Sequence, residues 1–168
     1  AGIMPFNFPA MIPMWMFPLA LATGNTFLMK PSERVPGCAL KLVELAMEAG
    51  VPAGALNVIH GQHDAVNFIC DNPTIQAISF VGSNTAGEHI YRRGCGNGKR
   101  VQVNMAAKNH ALILSDSTKQ HVVASMTGAA FGAAGQRCMA LSAGVFVGET
   151  KDWINEIAEQ GAALKLGP

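Results

Sequence analysis

The stretch IQAISFVGSNTAG at residues 75–87 decides the fold, because it joins a buried strand to a helix through a Gly-Ser turn. Residues 75–81 are almost continuously apolar, as is typical of a strand covered on both faces in a parallel sheet. Ser83 is a favoured N-cap residue and predicts a helix that runs to about Arg93. The N–H groups at such a helix start can bind a phosphate. The stretch lacks a GxGxxG pattern, so an ordinary capped helix is the alternative interpretation of Gly82 and Ser83.

The same alternation of strand and helix continues on either side of this stretch. Before it, the pattern predicts strands at 25–30 and 55–60 and helices at 36–49 and 64–70. This β-α-β-α-β order predicts an α/β fold with a parallel sheet, helices on both faces and right-handed crossovers. After it, we expect strands at 100–105 and 110–114 and helices at 118–131 and 153–164, with a domain boundary near 103–108.

Composition and charge limit the classes of function. Of 168 residues, 49% are hydrophobic and 14% are charged, below the roughly 25% of an average domain. We therefore expect much of this surface to pack against other protein. The net charge of +1 gives no electrostatic basis for binding nucleic acid or an acidic membrane. The local basic cluster, interpreted as solvated charges around a Gly-rich loop at 94–98, consists of Arg92, Arg93, Lys99 and Arg100.

The cysteines and histidines show no metal-ligand or disulfide spacing. The four cysteines are widely separated, without a CxxC pair, so neither a zinc site nor a disulfide framework is expected.

Residues 8–22 are very apolar but contain three prolines and have no basic residues before them, so they suit neither a membrane span nor a signal peptide. Because the chain starts without Met inside a dense motif, we expect the natural N-terminus to lie upstream.

Cys138 is the candidate nucleophile, within FGAAGQRCMALS at 131–142. The thiolate is the reactive form of Cys, so a catalytic Cys needs nearby positive charge and room for a substrate. Arg137 supplies the charge, and the small residues 132–135 leave the room. A buried structural Cys is the common alternative, and the local sequence leaves both open.

Asn7, Lys30 and Glu33 are candidates for binding roles. Asn7 lies in PFNFP, where flanking prolines stiffen the backbone and could present its amide as an oxyanion donor; the alternative is a turn residue. Lys30 and Glu33 follow a predicted strand at the edge where ligands bind in open α/β sheets. Lys can donate to a ribose, and a carboxylate can accept from its 2′-OH but repels a 2′-phosphate, which favours NAD over NADP. An exposed capping turn is the alternative for this pair.

The order PFNFP, MKPSE, FVGS, AAK and GQRC resembles the aldehyde dehydrogenase superfamily over nearly the whole chain. The longer strings HGQHDAVNFICD, NMAAKNH and GAAGQRCMALS resemble its CoA-acylating branch, the methylmalonate-semialdehyde dehydrogenases. The resemblance implies that residues 1–103 are the C-terminal part of a Rossmann-like NAD-binding domain and residues 104–168 the start of an α/β catalytic domain. The chain would then be an internal piece of a longer enzyme.

The resemblance also implies roles for particular residues. Cys138 would attack an aldehyde and then carry a thioester, and Asn7 would hold the oxyanion together with the backbone N–H of Cys138. NAD would be bound by Phe6, Lys30, Glu33, Gly82 and Ser83. Hydrolytic members have a Glu where this chain has Asn104, and an amide cannot act as a general base. Asn104 therefore predicts CoA as the acyl acceptor. The resemblance implies acetyl-CoA or propionyl-CoA and CO2 as the products.

Two further expectations follow from the resemblance. Arg137 would pair with the carboxylate of malonate or methylmalonate semialdehyde; the alternative is that it favours the thiolate or packs at an interface. Ala106 stands where the superfamily usually has Gly and would be strained by roughly 1 kcal/mol if φ is positive there.

Alternatives and partners remain open at this level. One alternative is an inactive piece of the enzyme, and another is a hydrolytic semialdehyde dehydrogenase, which Asn104 disfavours. The family implies a homodimer or homotetramer for the complete enzyme, located in the mitochondrial matrix in animals and in the cytoplasm in bacteria. No nucleic acid, membrane or metal partner is expected.

Overall fold

A computed structural model describes residues 1–167, and the chain divides into two compact units, residues 1–106 and residues from 107 onward. The first unit contains a five-stranded parallel sheet in the order β3-β2-β1-β4-β5. Its strands are β1 (Gly2–Ile3), β2 (Phe27–Lys30), β3 (Leu56–Val58), β4 (Ala77–Val81) and β5 (Arg100–Asn104). Its helices are α1 (Met11–Ala22), α2 (Pro36–Glu48), α3 (His63–Asp71) and α4 (Asn84–Gly96).

The helices of the first unit cover both faces of the sheet, as the alternating pattern predicted. On one face α1 and α2 contribute buried apolar side chains, Ile12, Phe17 and Ala39, to a core with Phe27, Met29 and Leu56. On the other face α3 and α4 contribute Ile69, Cys70 and Ile90 to a core with Ile3, Ile78 and Phe80. Full burial of side chains of this size stabilises a fold by roughly 1.5–3 kcal/mol each. These two cores fix the sheet and therefore the ends of its strands.

Two elements of the first unit were not foreseen from the sequence. The short strand β1 lies in the middle of the sheet, and α1 forms from the apolar residues that contain Pro13 and Pro18. Pro13 stands in the first turn, where its missing N–H costs no helical hydrogen bond. The predicted elements agree with the structure to within three residues at each end. The largest difference is α4, which continues through Gly94–Gly96, so the predicted Gly-rich loop is helical over its first three residues.

The basic cluster is only partly solvated: Arg92 and Arg100 are exposed, whereas Lys99 and Arg93 make contacts with other elements. Lys99 is buried, and its ammonium donates to the carbonyl oxygens of Ile75, at 2.6 Å, and Asn72. Arg93 makes a bidentate pair with Asp71, at 2.7 and 2.6 Å. Two of the four basic residues therefore hold elements of the first unit together.

The second unit is built on a β-α-β arrangement. Strands β6 (Asn109–Ile113) and β7 (Leu141–Phe146) are parallel, and α5 (Lys119–Phe131) lies between them in the chain. A tight turn, Gly132–Gly135, follows α5, and a 3-10 turn, Gly148–Trp153, leads into α6 (Ile154–Ala162). The strand β7 was not predicted, because LSAGVF has no clear alternation. The β6–β7 register shifts by one residue between Asn109 and His110, which places an irregularity directly after the segment that contains Cys138.

Candidate functional site

All predicted site residues of the first unit lie at the carboxyl end of a strand or in the loop that follows it. Phe6 and Asn7 follow β1, Lys30 ends β2 with Glu33 just beyond, and Gly82 and Ser83 follow β4. Because β1, β2 and β4 are parallel neighbours, these ends lie along one edge of the sheet. The chain runs outward from β1 to β3 and then returns to β4 on the other side of β1. Such a reversal is the switch point at which ligands bind in open α/β folds.

Lys30 and Glu33 form a pair at this edge. The Lys30 side chain is 4% exposed and the Glu33 side chain 43%, and their charged atoms are 3.5 Å apart. The Lys30 ammonium also donates to the carbonyl oxygen of Pro31 at 3.0 Å. A hydrogen bond from its own backbone N–H lowers the pKa of Glu33, with Lys30 helping. The result is an ionised, solvent-facing acceptor beside a fixed donor, an arrangement suited to a vicinal diol.

The PFNFP loop lies next to this pair. The Arg34 guanidinium lies 5.7 Å from the centroid of the Phe6 ring, within the range of a cation–π contact. Phe6 is exposed and Asn7 half-buried. The loops after β1 and β2 therefore touch through side chains that sequence inspection did not connect.

Ser83 is the N-cap of α4, as predicted. Its hydroxyl accepts a hydrogen bond from the backbone N–H of Ala86 at 3.3 Å, and its backbone is extended. Gly82 has no room for a side chain, because a Cβ there would lie 2.5 Å from the Phe80 ring. The structure thus supports the capped-helix interpretation directly, while the exposed helix start stays available for a phosphate.

In the second unit, Cys138 lies on an exposed segment between the Gly132–Gly135 turn and β7. The described residues of this chain therefore do not bury Cys138. Arg137 is exposed as well, and its guanidinium folds back over Gly132, where a Cβ would lie 2.6 Å from the guanidinium carbon. Gly132 therefore makes the close approach of Arg137 possible.

Backbone strain is found at the turn before Cys138 and not at Ala106. Ala133 and Ala134 have φ of 52° and 54°, the left-handed region, and they are the only non-glycine residues with positive φ among residues 1–167. Ala106 is not among them, so the condition under which strain was expected there is not met. Asn104, the residue in place of the hydrolytic Glu, ends β5 with an exposed side chain.

Asn109 is a residue of this region that sequence inspection missed. Its side-chain amide donates to the carbonyl oxygens of Cys138, at 2.9 Å, and Ala140, at 3.0 Å. The residue lies within NMAAKNH, a string that carries the family resemblance without indicating a role for this amide. No local pattern marks it, because its two acceptors lie 29 and 31 residues further along the chain.

The described residues offer neither a metal cluster nor a membrane-spanning helix. Among residues 1–167 no group of three or more His, Cys, Asp or Glu side chains could hold a metal ion. No helix in that range is long and apolar enough to cross a membrane.

A family model described as "Aldehyde dehydrogenase family" matches residues 1–168, the full length of the chain. The chain belongs to the aldehyde dehydrogenase family. It is 67% identical over 166 residues to a probable methylmalonate-semialdehyde/malonate-semialdehyde dehydrogenase (acylating), mitochondrial, of Dictyostelium discoideum. That alignment covers 99% of this chain and 31% of the relative.

Solved structures of other proteins share the fold. A putative methylmalonate-semialdehyde dehydrogenase from Sinorhizobium meliloti, complexed with NAD, matches with a TM-score of 0.96 and 47% identity, over 99% of this chain and 34% of that one. An NADP dependent enzyme of E. coli matches with a TM-score of 0.93 and 30% identity, over 99% of this chain and 35% of that one. The resemblance read from the motifs and the α/β parallel-sheet class are confirmed.

The chain spans about a third of the length of the relatives it matches. The assignment of its two units to a NAD-binding and a catalytic domain, and the roles of the individual residues, stay predictions.

Proposed function

We propose that these residues belong to an NAD-dependent, CoA-acylating dehydrogenase that oxidises malonate or methylmalonate semialdehyde. The observation that carries the proposal is the exposed Cys138 with Arg137 beside it, in a chain 67% identical to a relative named for that reaction. The products would be acetyl-CoA or propionyl-CoA, CO2 and NADH.

The proposed chemistry begins at the Cys138 sulfur. The thiolate adds to the aldehyde carbon, so a C–S bond forms and the carbonyl oxygen becomes an oxyanion. We assign the Asn7 amide and the backbone N–H of Cys138 to that oxyanion, since preorganised donors stabilise developing charge. Loss of hydride from the same carbon leaves a thioester on Cys138. The exposed Arg137 guanidinium is assigned to the substrate carboxylate, which it can bind through two parallel hydrogen bonds.

The first unit suits NAD as the acceptor of that hydride. NAD when bound supplies the oxidising group, and Phe6, Lys30, Glu33, Gly82 and Ser83 are assigned to holding it. The Lys30–Glu33 pair, 3.5 Å apart, offers a donor and an ionised acceptor to the hydroxyls of a ribose. A shared fold does not decide between cofactors, because a neighbour with a TM-score of 0.93 is named NADP dependent. The Glu33 carboxylate supports NAD, since it would repel a 2′-phosphate.

CoA is proposed as the group that removes the acyl chain. The CoA thiolate attacks the thioester carbon, the bond to the Cys138 sulfur breaks, and Cys138 leaves as a thiolate ready for another cycle. Asn104 supports this route, because an amide cannot deprotonate water for hydrolysis. The loss of CO2 from the acyl chain is assigned on the basis of the family alone.

The test is product analysis in the complete enzyme with Cys138→Ser. With semialdehyde, NAD and CoA, the unaltered enzyme should form NADH and acyl-CoA, and Cys138→Ser should reduce both by roughly 10³-fold or more. The matched control is Cys95→Ser, which changes another exposed Cys and should keep full activity. Free acid in place of acyl-CoA would replace this proposal with the hydrolytic reaction.

The alternative of an inactive piece is favoured by one observation. Large apolar side chains are exposed in the chain, with Leu19 at 69%, Leu112 at 65% and Met139 at 80% exposure. Surfaces of this kind mark contacts with other protein. The same assay on the 168 residues alone separates the cases, because an active chain would need none of those contacts for catalysis.

A further inference from the structure

We propose that Asn109 is the positioning residue of the Cys138 nucleophile, acting through the carbonyl oxygens on either side of Met139. The inference rests on the proposed role of Cys138 and adds a residue to that site. One nitrogen, Nδ2 of Asn109, donates both of its hydrogens, to the carbonyl oxygens of Cys138 at 2.9 Å and Ala140 at 3.0 Å. A carboxamide is the smallest side chain that can donate twice from one atom.

The backbone of Asn109 is held by strand pairing. It is the first residue of β6, it is half-buried, and it pairs in the parallel ladder with Leu141, the first residue of β7. The strand ladder fixes the Asn109 backbone, and its side chain reaches the segment that precedes β7.

The Asn109 amide joins the Cys138 segment to a residue distant in the chain. Two backbone hydrogen bonds in this region are local, from Gln136 N–H to Ala133 O and from Ala140 N–H to Arg137 O, both at 3.0 Å. The turn that precedes it holds two alanines in the left-handed region, and the Met139 side chain is 80% exposed. The Asn109 amide ties this segment to the first residue of β6, 29 and 31 residues earlier in the chain.

Fixing the Cys138 carbonyl has a direct chemical consequence. Once the carbonyls of Cys138 and Ala140 are held, the Cα of Cys138 and the directions of its Sγ and N–H are restricted. Those two groups are the proposed nucleophile and one proposed oxyanion donor. A displacement of about 1 Å in reacting groups can slow a reaction about 10²-fold. Asn109 therefore acts on the rate of acylation and not on substrate affinity.

The experiment compares Asn109→Leu with Asn97→Leu in the complete enzyme. Leu has nearly the shape of Asn but donates no hydrogen bond. Asn97 is the matched control, since its amide also donates to two oxygens, of Cys70 at 3.1 Å and Asp71 at 3.0 Å, between α3 and the end of α4. The readout is the first-order rate constant for NADH formation in a single turnover at saturating semialdehyde. A rate constant does not depend on how much of the enzyme is folded, so a loss of folded protein alone leaves it unchanged.

We expect Asn109→Leu to lower that rate constant about 10-fold to 100-fold, with KM for the semialdehyde changed less than about threefold. Asn97→Leu should leave both unchanged even if it lowers Tm. If Asn109→Leu does not fold, the same constant is measured in Asn109→Ser, whose hydroxyl donates once and should give a smaller loss.

The outcomes separate this inference from the proposed function. The role of Asn109 would be overturned if the rate constant of Asn109→Leu equals that of the unaltered enzyme. If Asn109→Leu does not fold, the same criterion applies to Asn109→Ser. If Cys138→Ser is inactive in the same series of measurements, the proposed role of Cys138 as the nucleophile still stands. Retained activity in Cys138→Ser would instead remove the proposed function, and the inference with it.

Discussion

Ala133 and Ala134 hold the turn that leads to Cys138 in a conformation that costs L-residues energy. Non-glycine residues in the left-handed region are destabilised by about 1–2 kcal/mol, because Cβ approaches the following carbonyl. Strained backbone of this kind is concentrated at functional sites, and here it immediately precedes the candidate nucleophile. Gly135, with φ of 73°, completes the left-handed run without that cost.

Ala133→Gly should therefore stabilise the protein, unlike most Ala→Gly changes. We expect the free energy of unfolding to rise by about 0.5–1 kcal/mol, the relieved strain less the extra entropy of Gly in the unfolded chain. The control is Ala124→Gly at an exposed position of α5, which should lower the free energy by a similar amount. Chemical denaturation measures both. A loss of stability in Ala133→Gly would show that the turn is not strained in solution.

Arg137 should act on substrate choice, because its guanidinium is exposed beside Cys138. We expect Arg137→Leu to raise KM for the semialdehyde by about 10-fold or more and to change KM for propanal, which has no carboxylate, far less. Steady-state kinetics with both aldehydes measure the difference. Arg92→Leu is the control, an exposed Arg paired only locally with Glu88 at 2.7 Å. Equal changes in KM for both aldehydes would show that Arg137 favours the thiolate or packs at an interface and does not bind the substrate carboxylate.

At the scale of elements, α3 and α4 are tied by one exposed ion pair. Arg93 donates two hydrogen bonds to Asp71, and Asn97 donates a third. The Arg93 hydrogen bonds hold the pKa of the Asp71 carboxyl below its usual value and raise that of Arg93. A carboxyl with a depressed folded pKa stabilises the fold above its unfolded pKa, and the contribution is lost as pH falls through the folded value.

Asp71→Asn should therefore lower Tm at pH 7 and not at strongly acid pH. The difference in Tm between the unaltered protein and Asp71→Asn should shrink as pH falls below about 4, the unfolded pKa of Asp. Thermal unfolding followed by circular dichroism from pH 7 to pH 2 measures this. Glu44→Gln, which removes an exposed pair with Lys41 at 3.0 Å within α2, is the control and should have little effect at any pH. A difference in Tm that grows toward acid pH would contradict the stabilising role of the ionised Asp71 carboxylate.

For the whole molecule, the question is whether the first unit binds NAD without further protein. Its two cores and its sheet place the loops after β1, β2 and β4 along one edge. We expect NAD at about 100 times its Kd to raise Tm by roughly 5–10 °C, since a ligand bound to the native state stabilises it. Thermal unfolding of the 168 residues with and without NAD measures this.

The controls for that measurement separate the two units. Cys138→Ser should keep the NAD shift, because Cys138 lies in the second unit and no cofactor role is assigned to it. Glu33→Gln should reduce the shift, because it removes the charged acceptor of the Lys30 pair. A melt that NAD does not move would show that the cofactor site needs protein beyond these residues.

Much of the fold could be read from the sequence, because strands and helices depend on local patterns. Apolar runs and a Ser cap marked β4 and α4, and a Pro start with a Gly stop marked α2. The motifs with Cys138, Lys30 and Asn7 gave the family, since each is a short contiguous string. Strand β1 escaped because two residues carry no periodicity, and its place in the sheet comes from pairing with β2 and β4.

The tertiary structure decided what depends on residues distant in the chain. It showed that Lys99, expected to be a solvated charge, is buried and donates hydrogen bonds to carbonyl oxygens of the segment after α3. It showed positive φ at Ala133 and Ala134 and not at Ala106, since backbone conformation follows from the path of the chain. It also brought the Asn109 amide to the Cys138 carbonyl, because parallel pairing of β6 with β7 joins residues some thirty apart. Sequence determined which chemical groups are present and in what order, and packing decided which of them meet.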